Sequence, residues 1–164
     1  MSLRRRSYEL GHAPKFLVVI DDTPECDRAL YFASRRALRT RASVLMLRVI
    51  EMHDRNQQWL GVADIMRAEA HEEANSALDR SAARAGSITG VTPERVIREG
   101  DKAEEILKLI EEDEDIALLI LAASSGTEGP GPLVASLAKT AGTFPIPVAI
   151  VPGHLSDEDL ESMS

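Results

Sequence analysis

Two short polar stretches invite attention because each follows directly on a run of apolar residues. Asp21, Asp22 and Thr23 come after FLVVI (16–20), and Ser124, Ser125, Gly126, Thr127 and Gly129 come at the end of IALLILAA (116–123). The first stretch offers two carboxylates and a hydroxyl, which could help hold a hard cation. The second offers hydroxyls and glycines, and glycine lets backbone N–H groups approach an anion closely. Pro130 and Pro132 each delete a donor from that second loop. Adjacent carboxylates repel an anion unless a cation lies between them. A plainer account stands beside this one. Thr23 reads as an N-cap with Pro24 at the first helical position, Asp22 and Thr23 then satisfying first-turn amides, and 124–131 reads as a connection rich in Gly, Pro and Ser.

Sets that would do covalent chemistry are missing from the sequence. It contains no G-x-S-x-G elbow, no P-loop and no H-E-x-x-H pair. His12, His53, His71 and His154 stand at no metal-ligand spacing, and Cys26 falls in an apolar helical stripe where a buried, inert thiol is expected. No residue stands out as a general base, so the expectation is a binding module, with the enzyme question left open.

The elements that must position these residues follow from hydrophobic patterning. Phe16–Ile20, Ser43–Ile50, Ile116–Ala123 and Pro147–Val151 are near-continuous apolar runs, the mark of strands buried on both faces, and Thr92–Glu99 is a more polar run that suits an edge. Between them lie helical patterns: one after Thr23-Pro24, one from about Ala63 to Ala85 with Gly86 as its stop, Lys102–Glu112 opened by an Asp101/Glu104 capping box, and one from Leu133 to about Ala141. A polar insertion, 51–61, carries Trp59. The order β-α-β-α-β-α-β-α-β predicts an α/β fold with a five-stranded parallel doubly wound sheet and helices on both faces. Ligands bind such sheets beyond the carboxyl ends of the strands, where the winding reverses. That rule places Asp21–Thr23 and Ala123–Gly129 at one cleft.

Three stretches, VVIDDTPECDRAL, VLMLRVIE and LLILAASSGTEG through FPIPVAIVP, resemble the universal stress protein family over residues 15 to 152. The resemblance implies strand order 3-2-1-4-5 and a homodimer, here through the edge strand Pro147–Val151. It also implies that Asp21 contacts a nucleotide, that Val49 lies beside the adenine, and that ATP, with magnesium if bound, is the ligand in some members. Those members wrap the phosphates with a glycine, two residues, a second glycine, nine residues, then glycine with serine or threonine. Ala123 stands here at the first glycine, Gly126 at the second, and Ser136-Leu137 at the last pair. The loop is therefore a degraded form of the motif, suited to a small polar or anionic ligand, and binding of ATP with slow or no hydrolysis is the alternative. A third reading, a receiver-type phosphoacceptor domain, has the acidic pair and Ser124. It has only Asp101 to offer as acceptor, and no lysine after the last strand, where Pro152-Gly153 stand.

The remaining expectations are broader. In 164 residues with 44% hydrophobic and 28% charged residues, one domain with a tail at 1–14 and an acidic, mobile tail at 153–164 is expected, Ser156 and Asp159 being able to cap a short terminal turn. A net charge of −8, with the only dense basic cluster at Arg4–Arg6, argues against a nucleic-acid partner. A single cysteine, no run of about 18 apolar residues, and a polar rather than apolar segment after the first arginines point to a cytoplasmic protein with no membrane partner.

Overall fold

In a computed structural model that describes residues 4–51 and 60–164, the apolar runs become strands β1 (Lys15–Val19), β2 (Ser43–Ile50), β3 (Glu94–Glu99), β4 (Ile116–Ala123) and β5 (Val148–Pro152). All neighbours pair in parallel, in the order β3-β2-β1-β4-β5. Helices α1 (Cys26–Thr40), α2 (Leu60–Thr89), α3 (Lys102–Glu112), α4 (Pro132–Lys139) and α5 (Asp157–Met163) cover the two faces. The insertion residues 52–59, Trp59 and His53 among them, lie outside the described residues.

Strand alternation divides the core in two. Phe16, Val18 and Ile20 of the first strand region point to one face with Val44, Met46 and Ile120, beneath α1, Leu78 and Ala85 of α2, and Leu160 of α5. Leu17 and Val19 point to the other with Leu45, Leu47, Leu119 and Leu121, beneath Ile106, Leu109 and Ile110 of α3 and Val134 and Leu137 of α4. Burial on both faces explains why these strands lack polar alternation. The polar run of β3 sits at the sheet edge as expected.

Several local expectations change. The second helix continues through Gly86 to Thr89, and the stop is Gly90, whose φ of +75° ends the helix as glycine does most easily. Asp101 caps α3 by accepting from Glu104 N–H, as expected, and Ile106, Leu109 and Ile110 are the buried apolar residues of that helix. The C-terminal segment is a docked helix, not a mobile tail. Ser156 and Asp159 form a reciprocal capping box, Leu160 is buried in the core, and Asp157 and Glu161 pair with Arg28 and Arg35 of α1. At the other terminus the Arg5 guanidinium donates to the carbonyls of Ile110 and Asp113 at 2.7 and 2.9 Å, tying 4–14 to the end of α3.

Candidate functional site

The loop after β1 is ordered by its own side chains. Asp21 accepts from Thr23 N–H at 3.0 Å and from Thr23 Oγ1 at 2.5 Å, while the Thr23 carbonyl takes the Cys26 N–H. Thr23 is thus committed to Asp21, and α1 starts at Cys26 instead of Pro24, with Glu25 before it making no side-chain cap. Asp22 turns the other way. Its Oδ2 lies 3.0 Å from Arg48 Nη2, and Arg48, whose side chain is only 11% exposed, also donates to the Ile20 carbonyl. The Arg48 hydrogen bond, against the smaller cost of burial, holds the Asp22 carboxyl below its ordinary pKa. Arg48 is thus the counter-ion of Asp22, while the Asp21 carboxylate is engaged by Thr23.

The loop after β4 is ordered mainly by backbone, with one side-chain acceptor, Ser124 Oγ. Ser124 N–H donates to the Pro130 carbonyl, Gly126 N–H donates to Ser124 Oγ, and Gly129 and Gly131 have φ of +100° and +103°. Pro132 occupies the first position of α4, where a helix amide has no internal partner. The two loops meet at Gly153. Its N–H donates to the Ala123 carbonyl at 2.8 Å, and a Cβ there would lie 2.6 Å from that oxygen and 3.0 Å from Glu25 Cβ.

Between the loops, beyond the carboxyl ends of β1 and β4, opens a cleft of about 300 Å³. Val19, Ala29, Leu121, Leu133 and Val134 give it apolar walls; Asp21, Glu25, Glu51, Asp101 and Lys102 give it charge. Of the residues singled out in the sequence, Asp21, Thr23 and Ser136 line it. Asp22 and Val49 line a neighbouring depression with Arg48, and Val49 itself is buried. Ala123 ends β4, and Ser124, Ser125, Gly126, Thr127 and Gly129 belong to the loop after it; none of them is in the lining, which is reached instead by Pro130, Gly131 and Pro132.

Glu25, Glu51 and Lys102 were not singled out. Glu51 and Lys102 follow β2 and β3, so the strand-end rule that picks Asp21 picks them too, and they are linked by Lys102 N–H donating to Glu51 Oε1 at 3.3 Å. Arg48 had a signal as well, as the one charge within SVLMLRVI. Cys26 borders the cleft, but burial pushes its thiol up to about 11, so it is not a nucleophile at neutral pH.

Chemically, the lining accepts hydrogen bonds far more than it donates them. Four carboxylates face one lysine, and the prolines withhold two amides. Among the described residues, no group of three or more His, Cys, Asp or Glu side chains is arranged to hold a metal ion. Asp101, the acceptor a receiver domain needs, is engaged as the cap of α3.

A parallel doubly wound sheet with a cleft at its switch point defines an α/β domain of the doubly wound class. More narrowly, the chain belongs to the universal stress protein family, whose model matches residues 13–152. Solved structures agree in fold. The universal stress protein UspA from Lactobacillus plantarum superposes with a TM-score of 0.72 at 17% identity, over 84% of this chain and 97% of that one. A universal stress protein family protein from Arabidopsis thaliana with AMP bound gives 0.58 at 22% identity, over 88% and 94%. The Archaeoglobus fulgidus universal stress protein in complex with dAMP gives 0.54 at 15%, over 84% and 96%. No curated protein sequence is significantly similar. Among the described residues no helix is long and apolar enough to cross a membrane.

Proposed function

We propose that this chain is a dimeric stress-response or signalling module whose cleft takes a nucleoside or nucleoside monophosphate in preference to a triphosphate. The observation that carries this is the lining itself: Asp21, Glu25, Glu51 and Asp101 against Lys102 alone, with Pro130 and Pro132 where amide donors would serve phosphates. Carboxylates suit ribose hydroxyls and exocyclic amines and repel a chain of phosphates. Structures of family members with AMP and dAMP bound support the ligand class. No catalytic step is assigned to the described residues. The triphosphate fits this lining poorly, and no step is assigned to it or to magnesium.

The test is a melting curve of the full chain with adenosine, AMP, and ATP with and without magnesium. A ligand at 100 times its Kd adds about 2.7 kcal/mol, which shows as a rise in midpoint. AMP should raise the midpoint more than ATP at equal concentration. A larger shift with magnesium-ATP, or no shift with any of them, sinks the proposal. For the dimer, support comes from β5, whose outer edge pairs with no strand among the described residues and exposes half of Ile150. Pairing across a two-fold axis would cover that edge. Sedimentation should give a dimer that Ile150→Lys converts to monomer; a monomeric parent chain overturns this part.

A further inference from the structure

Helix α5 lies beyond the residues, 13–152, that the family model matches, so its docking is an addition to the shared domain. Two kinds of contact attach it. Leu160 is 1% exposed in the core beneath α1, and Leu155 packs on the same cluster. Around that apolar peg runs a set of ion pairs. Arg28 reaches Asp157 at 2.6 Å and donates to the Leu155 carbonyl at 2.8 Å, Arg84 of α2 reaches Asp157 at 3.5 Å, and Arg35 pairs with Glu161. The three guanidiniums gather about the Tyr31 ring, 5.6 Å from its centroid for Arg28, 5.1 Å for Arg84 and 5.9 Å for Arg35. Asp27, Asp157 and Glu161 supply the counter-charge that lets three cations share one ring.

The same network reaches the cleft. Asp27, in the first turn of α1, accepts from Arg84 Nε at 3.0 Å and from Arg28 Nη2 at 2.6 Å. Those are the two arginines that Asp157 holds, so α5 and the start of α1 are tied through shared partners. Glu25, Cys26 and Ala29 of that start line the cleft, and a Cβ on Gly153, in the segment leading to α5, would lie 3.0 Å from Glu25 Cβ. Local sequence does little to fix this turn. Glu25 stands at its N-cap position and makes no side-chain cap, so the ties from α5 and α2 take the place of one.

We propose that α5 is an ionic clasp that regulates the cleft: closed, it fixes the uncapped first turn of α1 and with it the wall made by Glu25, Cys26 and Ala29; released, it leaves that wall loose and the cleft weaker for its ligand. The link to ligand binding rests on the reading of the cleft given above, whereas the hold of α5 on α1 does not. Asp157 and Glu161 are each 52% exposed, so salt screens their pairs and the clasp makes the cleft respond to ionic strength. By linkage, a ligand in the cleft tightens the clasp by the same factor.

Cys26, the one cysteine of the chain, stands in that wall with its Sγ 3.5 Å from the Val19 carbonyl oxygen, and it reports opening of the wall without any ligand. The experiment measures how fast an uncharged aromatic disulfide modifies Cys26 in the full chain as salt and urea are varied. Asp157→Asn combined with Glu161→Gln should raise the rate by roughly three- to tenfold, the loss expected for two partly exposed pairs. Salt should raise it in the parent and little in the double variant. Neither increase should depend on low urea, because a local opening exposes little surface. Glu161→Arg should raise the rate alone and lose that effect when joined to Arg35→Glu. With AMP as the probe, labelling of the parent should slow, and the double variant should bind AMP several-fold more weakly. Equal labelling of parent and double variant, or labelling that rises steeply with urea and so tracks global unfolding, overturns the clasp. Equal AMP affinity in the two proteins overturns the regulation. If AMP shifts neither midpoint nor labelling, the reading of the cleft fails and the regulation with it, while the ligand-free rates still decide the hold of α5 on α1.

Discussion

The loops after β1 and β4 end at the same cleft but are held by different means. The first is fixed by side chains: Asp21 to Thr23, and Asp22 to Arg48. The second is fixed mainly by backbone: two glycines at positive φ, and a Ser124 amide on the Pro130 carbonyl. A loop ordered by side chains keeps carboxylates in defined directions, whereas one ordered by glycine and proline has spent its backbone on shape and has few amides left for a ligand. The acidic, donor-poor character of the cleft follows from that division.

The largest effect is expected where the two loops touch. Gly153→Ala puts a methyl 2.6 Å from the Ala123 carbonyl oxygen and 3.0 Å from Glu25 Cβ, both on packed backbone segments. Overpacking of this kind costs about 1–3 kcal/mol, to be read as a lower denaturation midpoint. A wild-type midpoint in the variant would mean the loops are not braced against each other.

Next come substitutions that separate the loops. Gly129→Ala and Gly131→Ala should each destabilise by about 1 kcal/mol, because a Cβ is strained at φ of +100° and +103° even though open space surrounds both positions. Asp21→Ala removes two acceptor contacts from the first loop and should cost less, about 0.5–1 kcal/mol, since the Thr23 groups then turn to water. The ligand response should rank in the opposite sense: Asp21→Ala lowers the AMP shift in melting midpoint and Gly129→Ala leaves it intact, because Asp21 lines the cleft and Gly129 does not.

The two loops also differ in how far the sequence disclosed them. Continuous apolar runs announced β1, β2 and β4 because a strand covered on both faces has no polar side to interrupt it, and Asp101 announced α3 because a cap is a local signal. The start of α1 was misread for an equally local reason: Thr23-Pro24 has the form of a cap, yet Asp21 two residues earlier captures both Thr23 donors. Arg48 and Glu51 escaped notice as site residues because their relation to Asp22 and Lys102 crosses strands. The docking of α5 rests on Leu160 and on arginines over 120 residues away in the chain, so a short acidic segment gave no sign of it.

The smallest effect concerns acid, and it sharpens the contrast between side-chain and backbone ordering. Asp22 and Asp157 are both held below the ordinary carboxylate pKa, chiefly by hydrogen bonds from Arg48 and Arg28 respectively. A depressed folded-state pKa means the stabilisation is fully present above the unfolded value, about 3.9, and is lost as pH falls through the lower folded value. Both side chains are more than half exposed, at 70% and 52%, so solvent screens the pairs and the loss is modest. The melting midpoint should therefore hold from neutrality to about pH 5 and decline below about pH 4, less steeply at high salt. Asp157→Asn should flatten part of that decline and Asp22→Asn another part, whereas Gly129→Ala, acting on the backbone-ordered loop, should shift the whole curve down without changing its shape. A parallel shift in all three variants would show that these ion pairs do not set the acid limit.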